Sequence, residues 1–206
     1  MNPTLFRTLF FTFSFKQQLK LVFFTFLSVL MLPFLAIVVV TRIGSDTVSD
    51  QLVTANLQDH TIEIRNPATG EIDQTLTITS VWPATGVVTL EFGESDLPYQ
   101  VMHTGIDIAN PQGKIGDPVK AFMTGRVIYA GEISWGYGKH VIIDHGNNIT
   151  SIYAHLNSIS VTENQEIETG QIIGMEGSTG WSTGPHLHFE VRAYGIPVNP
   201  RDFLSY

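Results

Sequence analysis

The second half of the chain carries five side chains that can bind a metal or transfer a proton, in three short motifs. His103 and Asp107 are four residues apart, His155 follows about fifty residues later, and His186 and His188 flank one leucine. Neutral imidazoles and a carboxylate suit zinc, and a hydrolytic zinc site needs three protein ligands and one open position. Because the motifs are far apart in sequence, they predict a fold that gathers three chain segments at one point.

The spacing within the motifs fits short β-strands. In extended chain, side chains two or four residues apart lie on the same face. His103 and Asp107 would then share a face, and His186 and His188 would share another. Two short strands can therefore direct all four side chains at one point. Each motif alone is a weak signal, because a lone His-x-x-x-Asp or a pair of strand histidines is more often structural.

The rest of this half predicts a mainly antiparallel β fold. From Trp82 onward, short β-rich runs alternate with glycine, and no helical period of any length is present. Asn199 is expected to cap a final helical turn that begins at Pro200. The predicted strands are Arg126–Ala130, His140–Asp144, Thr150–Ala154, Gln171–Met175 and Leu187–Ala193.

The motifs form an ordered series with the glycine-containing stretches between them. The series comprises His103-Thr104-Gly105-Ile106-Asp107, Gly116–Ala121, Gly125–Val127, Gly136–Gly138, Tyr153-Ala154-His155-Leu156, Gly170–Gly174 and Gly184-Pro185-His186-Leu187-His188-Phe189. It resembles the M23 peptidases, the lysostaphin-like and LytM-type zinc endopeptidases that cut peptidoglycan cross-bridges. The resemblance covers roughly Trp82 to Phe203. It departs from the family at Phe92-Gly93-Glu94, where many relatives have an arginine soon after Phe-Gly.

This resemblance implies a role for each motif residue. It implies that His103, Asp107 and His188 bind one zinc ion per chain, and that His155 and His186 are the catalytic histidines. It also implies a groove over an antiparallel β-sheet, with the stem peptides or cross-bridges of bacterial peptidoglycan as substrate. Which catalytic histidine is the general base is left open.

Other histidines and aromatic residues are assigned from their local sequence. His145, at the end of a predicted strand, is expected to be structural, and His140 is expected at the surface. Trp135 and Tyr137, in the loop before Gly138, either line the groove or pack in the core.

The N-terminal region predicts a membrane anchor. Leu21–Val40 is a run of 20 residues without charge, and at about 1.5 Å per residue a helix of this length spans roughly 30 Å, the hydrocarbon thickness of a bilayer. The following residues 41–45 make a poor signal-peptidase site, which favours an uncleaved anchor. Arg7, Lys16 and Lys20 precede the run and place the N-terminus in the cytoplasm. The predicted location is the bacterial cytoplasmic membrane, with the catalytic domain on the outer side.

Four regions follow from this topology. Residues 1–20 are the cytoplasmic segment, 21–41 the anchor, 42–80 a linker or stalk, and 81–206 the peptidase domain. Within the stalk, Ser45–Gln58 is polar and is interpreted as a linker. Thr61–Ile78 alternates apolar and polar residues around Asn66–Gly70, which predicts a β-hairpin.

Composition excludes several other classes. The chain has no cysteine, so disulfides and thiolate ligands are absent. Residues 43–206 hold seven Lys and Arg residues against all nineteen Asp and Glu residues, a formal charge of −12. Such a surface does not favour nucleic acid, and recognition of the wall is expected to depend on a shaped groove.

Two alternative functions remain open. Some relatives of the family have lost metal ligands and activate other wall hydrolases, so a non-catalytic LytM-type regulator is one alternative; the intact set of five residues argues against it. A carrier domain is the other, because Gly116–Val127 and Gly170–Gly177 resemble phosphocarrier and biotinyl domains. A carrier needs a modified lysine in a tight turn, or a cytosolic location that a membrane anchor does not allow. Metal content separates both alternatives from the hydrolase.

Overall fold

A computed structural model describes residues 16–17, 20, 22–25, 27, 44, 47–56, 59–94 and 102–204. The chain divides into two compact units, Met1–Thr41 and Arg42–Tyr206. In the first unit the described residues are helical. Among the described residues, no helix is both long enough and apolar enough to cross a membrane. Most of the predicted anchor Leu21–Val40 lies outside the described residues, so the anchor stays a prediction.

The second unit is built almost entirely from antiparallel β-strands, as the sequence predicts. Its elements are β1 Val53–Asn56, β2 Thr61–Arg65, β3 Ile72–Thr77, β4 Val87–Leu90, β5 Ile106–Ala109, β6 Pro118–Lys120, β7 Gly125–Glu132, β8 Lys139–Asp144, β9 Ile149–Ala154, β10 Ser158–Ile159, β11 Glu166–Ile167, β12 Ile172–Met175, β13 Leu187–Ala193, β14 Ile196–Val198 and the 3-10 turn Pro200–Asp202. The five predicted strands are confirmed as β7, β8, β9, β12 and β13. Asn199 caps the final turn, its side chain accepting a hydrogen bond from the Arg201 amide at 3.0 Å.

The strands are arranged in three sheets within the described part of the chain. The largest has the order β11-β7-β8-β9-β13-β5-β4, and β14 also pairs with β13. A smaller sheet has the order β10-β12-β6, and a third the order β1-β2-β3. The sequence motifs lie on three adjacent strands of the largest sheet, since β13 pairs with β9 on one side and with β5 on the other.

Alternation along β13 separates the core from the opposite face of the sheet. Successive strand residues point to opposite faces, so Leu187, Phe189 and Val191 enter the hydrophobic core, where none of them is exposed. The aromatic rings of Phe122 and Phe189 meet edge to face at 5.3 Å. The residues between them, beginning with His188, are therefore presented on the other face.

The segment predicted as a stalk packs within the second unit. β2 and β3 pair as an antiparallel hairpin, and β1 extends it to a sheet. The linker interpretation of Ser45–Gln58 is wrong for its described residues, because residues 47–52 are helical and Leu52 and Val53 are 4% and 2% exposed. Burial of these two apolar side chains holds the segment in place despite its polar composition. The Ser49 hydroxyl also accepts a hydrogen bond from the Asn199 amide at 2.8 Å.

Candidate metal centre

The strand register brings the three motifs together. On β13, His188 lies directly opposite Asp107 of β5 and, on its other side, opposite Ala154 of β9. His155 follows Ala154 at the end of β9, and His186 immediately precedes β13. Five side chains from distant parts of the sequence thus meet at one end of three paired strands.

Gly105 is required where β5 begins. A Cβ atom at this position would collide with the backbone carbonyl of Phe189 on the neighbouring strand. The close approach of the two backbones keeps the segment between His103 and Asp107 against β13. Gly105 therefore has a packing role, whereas His103 and Asp107 of the same motif are candidate metal ligands.

Three atoms of the motif residues converge at distances suited to a metal ion. His103 Nε2 lies 2.9 Å from His188 Nδ1 and 3.0 Å from Asp107 Oδ1, and His188 Nδ1 lies 2.8 Å from the same oxygen. In a tetrahedral zinc site with bonds of 2.0–2.1 Å, ligand atoms are about 3.3 Å apart. The observed triangle needs only a small expansion to hold such an ion.

In His103 and His188, the ring nitrogen that points away from the triangle indicates why a cation fits between the other three atoms. His103 Nδ1 lies 3.1 Å from the Glu91 carbonyl, and His188 Nε2 lies 3.0 Å from Glu190 Oε1. Because these oxygens are acceptors, each outer nitrogen carries the proton and donates it. Two imidazole lone pairs and the Asp107 carboxylate then face one another, and they repel unless a proton or a cation lies between them. The donor set of two nitrogens and one oxygen suits zinc.

The pKa values of Asp107 and His188 reflect how close these groups lie to one another. Burial alone would raise the pKa of Asp107, but hydrogen bonds and the charges of His103 and His188 hold it well below its usual range. Burial alone would lower the pKa of His188, whereas hydrogen bonds and charges from Asp107 and Glu190 raise it to about 9. A metal ion held by His188 would therefore have to displace a proton from its ring.

Glu190 supports the centre from behind, and the sequence analysis did not identify it. Its side chain is fully buried, and its Oε1 accepts hydrogen bonds from Thr104 Oγ1 at 2.5 Å and from Tyr137 OH at 2.7 Å, besides that from His188. Its Oε2 accepts from Arg192 Nε at 2.9 Å. Burial opposes ionisation, but His188, Arg192 and Thr104 lower the pKa of Glu190 to about 2. Alternation along β13 was the available signal, because residues 188, 190 and 192 must share one face.

Removing the charge of Glu190 is expected to weaken metal binding. Glu190→Gln keeps the size of the side chain but replaces a carboxylate acceptor of the His188 proton by an amide. Loss of such a supporting contact typically costs 10- to 100-fold in metal affinity. Competition with a fluorescent zinc chelator measures the change, and Glu168→Gln, at an exposed position, is the matched control. An affinity equal to that of the unmodified protein would contradict this role.

His155 and His186 lie beside the triangle, each with one nitrogen held by a backbone carbonyl. His155 Nδ1 donates to the Thr179 carbonyl at 2.8 Å, and His186 Nδ1 donates to the Gly184 carbonyl at 2.8 Å. In the neutral rings Nε2 is then the acceptor nitrogen, and that of His186 lies 3.6 Å from Asp107 Oδ2. The two rings meet edge to face at 4.8 Å. Both histidines can therefore accept a proton at Nε2.

His155 has an uncommon backbone conformation and a lowered side-chain pKa. Its φ of 61° is left-handed, which is uncommon for a residue other than glycine and is concentrated at functional sites. Burial and the neighbouring His186 and His188 lower the pKa of His155 to about 4. At neutral pH the imidazole is therefore uncharged and able to accept a proton.

A groove of about 460 Å³ opens onto the centre. Trp135 and Trp181 line it, each 64% exposed, with ring centroids 6.4 Å apart. The open question about Trp135 is thus answered in favour of the groove, whereas Trp181 was not identified from the sequence. Tyr137 also lines the groove, and its hydroxyl donates a hydrogen bond to Glu190.

Two further histidines have structural surroundings. His145 is held between the Thr124 carbonyl at 2.8 Å and the Ser151 hydroxyl at 2.7 Å, which agrees with its predicted structural role. The surface prediction for His140 is wrong, because the residue is 5% exposed and stacks on Tyr129 at 4.4 Å. The neighbouring aromatic side chains cover it.

The fold and the site define a β-sheet protein with a His-Asp-His candidate metal centre in an open groove. The family model for peptidase family M23 matches residues 101–200. A crystallised mutant catalytic domain of the prophage-encoded M23 protein EnpA from Enterococcus faecalis is 38% identical, with a TM-score of 0.50, and the match covers 56% of this chain and 88% of that one. The chain belongs to peptidase family M23.

Two curated relatives give further comparisons. The DD-carboxypeptidase/endopeptidase Mpg of Neisseria meningitidis serogroup B is 48% identical over 99 residues, which are 48% of this chain and 22% of that protein. The murein hydrolase activator NlpD of Escherichia coli K12 is 43% identical over 123 residues, which are 60% of this chain and 30% of that protein. The chain thus spans less than a third of the length of either relative.

Proposed function

We propose that the protein is a zinc metalloendopeptidase that hydrolyses peptide cross-links of bacterial peptidoglycan. The observation that carries this proposal is the convergence of His103, Asp107 and His188, whose ligand atoms lie within 4.8 Å of one another, beside two histidines that can accept protons. Three protein ligands leave a fourth tetrahedral position open, as catalytic zinc sites require. Membership of peptidase family M23 supports the same conclusion.

In the proposed mechanism the chain's own residues orient the reactants and move the protons. Zinc, when bound, supplies Lewis acidity and activates water as a nucleophile at neutral pH. The Nε2 atoms of His155 and His186 provide the acid and base functions. One takes the proton of the attacking water and, once protonated, donates it to the leaving amine, while the other accepts a hydrogen bond from that water and so orients it. Thr179 and Gly184, through their carbonyls, keep both rings in the required tautomer.

The proposed substrate is a peptide held in the groove. A volume of about 460 Å³ is within the usual range for a ligand site, and the exposed tryptophans offer apolar contact at its rim. The names of the relatives support a peptidoglycan substrate, since Mpg is a DD-carboxypeptidase/endopeptidase and NlpD a murein hydrolase activator.

The expected product is a set of muropeptides with newly formed amino and carboxyl ends. Purified peptidoglycan is incubated with the zinc-loaded protein, and the soluble fragments are analysed by mass spectrometry. A mass gain of one water at a cross-link, and its position, would identify the peptide bond that is cleaved. Protein carrying His188→Ala is the control. Walls that release no peptide fragments above this control would contradict the proposal.

A non-catalytic activator is the second candidate, and the similarity to NlpD favours it. An activator would release nothing by itself but would increase the release caused by a purified murein hydrolase. The same assay therefore separates the two functions when it is run with and without that hydrolase. Activation that survives His188→Ala, together with no release by the protein alone, would favour the activator.

The proposed location is the bacterial cytoplasmic membrane, with the peptidase domain outside. Support comes from the uncharged run Leu21–Val40 and from the basic residues Arg7, Lys16 and Lys20 before it. The anchor would confine hydrolysis to wall close to the membrane. Protease added to intact spheroplasts is expected to digest the second unit, and complete protection would overturn this topology.

A further inference from the structure

A buried carboxylate lies at the end of the small β10-β12-β6 sheet, outside the His-Asp-His centre. Glu176 immediately follows β12 and has no exposed surface. Among the described residues, neither of its carboxylate oxygens has a hydrogen-bond partner. Buried polar groups are almost always hydrogen-bonded, and a carboxylate is the costliest to leave without a partner. The Glu176 carboxylate is therefore a candidate for binding a cation.

The backbone places a second carboxylate directly across from it. In the pairing of β12 with β6, Met175 is opposite Pro118. One residue further on, the Glu176 amide donates to the Asp117 carbonyl at 2.8 Å, and the Glu176 carbonyl accepts from the Gly116 amide at 3.0 Å. Residues that face each other across antiparallel strands share one side of the sheet. Two acidic side chains are thus neighbours on one face, where like charges are destabilising.

Asp117 is held by a neighbouring amide and lies near enough for its charge to act on Glu176. The side-chain amide of Asn110 donates to Asp117 Oδ2 in a short hydrogen bond, so Asp117 Oδ1 remains available. Burial and the negative charge of Asp117 raise the pKa of Glu176, and the backbone amide of Asn110, which does not meet hydrogen-bond geometry with either oxygen, opposes this shift. A proton shared with Asp117 would satisfy only one of the two Glu176 oxygens and would leave the other without a donor.

We infer that Glu176 and Asp117 form a second metal site, which takes a hard divalent cation of the Ca²⁺ type. Calcium prefers six to eight oxygen ligands in a flexible arrangement and accepts bidentate carboxylates. Both oxygens of Glu176 and one of Asp117 would supply three ligands, and Asp117, which is partly exposed, leaves the outer side open for water. The cation would cancel the repulsion between the two carboxylates. This site is independent of the proposed peptidase activity, because it uses none of the five motif residues.

Calorimetric titration of the full-length protein with calcium chloride tests the inference. The protein is first saturated with zinc, so that the His-Asp-His centre is occupied, and its zinc content is measured in the same sample. We expect about one Ca²⁺ per chain. Glu176→Gln, which keeps the size of the side chain and removes its charge, is expected to weaken calcium binding at least about tenfold, as is Asp117→Asn, because affinity follows the ligand charge.

Three controls keep this result interpretable. Glu168→Gln changes an exposed acid and is expected to leave calcium binding unchanged. His188→Ala is expected to lose zinc but keep calcium, which separates failure of this site from failure of the centre. Circular dichroism verifies that each variant is folded. Absence of calcium binding by the unmodified protein, or calcium binding that persists in folded Glu176→Gln, would overturn the inference.

Discussion

Replacing His188 by alanine is expected to remove both the zinc and the peptidase activity of the protein. His188 Nδ1 is one of the three atoms of the triangle, at 2.9 Å from His103 Nε2 and 2.8 Å from Asp107 Oδ1. Loss of a residue that only supports a metal ligand typically costs 10- to 100-fold in metal affinity, so loss of the ligand itself is expected to cost more. The zinc content measured by elemental analysis should fall from one ion per chain to nearly none.

The other two ligands are expected to behave in the same way. Replacing His103 and Asp107 together by alanine leaves a single ligand, which is insufficient for a zinc site. His60→Asn is the matched control, because His60 is exposed and its φ of 51° is one that asparagine tolerates. This control should retain zinc and activity. Stoichiometric zinc in the double variant would refute the ligand assignment.

Changes at His155 and His186 are expected to separate catalysis from metal binding. His155→Asn, which suits the left-handed backbone at φ 61°, and His186→Ala should keep most of the zinc. Each should lower the rate at least about 100-fold, the low end of what general acid–base catalysis contributes. The reason is that both side chains lie beside the triangle without belonging to it, and each presents a free Nε2.

Zinc content and turnover must be measured on the same preparations. A variant that loses rate but retains zinc has lost proton transfer, whereas one that loses both has lost the centre. If His186→Ala were free of zinc and His188→Ala were not, the assignments of these two histidines would have to be exchanged. Full activity in His155→Asn would exclude His155 from the chemistry.

Much of the fold was predictable because the strands are strongly patterned. Along β13 the sequence alternates core residues with polar ones, so both the strand and its buried face follow from the period of two. Ser45–Gln58 was misinterpreted for the opposite reason: its composition is polar, and only contact with the rest of the unit buries Leu52 and Val53. Local composition does not report such distant contacts.

The sequence by itself determined which residues are able to do chemistry here. The order and spacing of the five motif residues mark them as candidate metal ligands or acid–base groups, because their side-chain types limit what such a set can bind. They are His103, Asp107, His155, His186 and His188. The anchor prediction likewise rests on sequence, since hydrophobic length and charge bias are properties of a single segment.

Only the tertiary structure decided how these residues are arranged and what supports them. The β5-β13-β9 register sets His188 between two strands, and folding places Glu190 behind it, Trp181 at the groove, and Glu176 opposite Asp117. None of these relations is encoded in local spacing. They arise because strand pairing joins segments that are far apart in the chain, and a side chain acquires its partners, burial and pKa only after that pairing has formed.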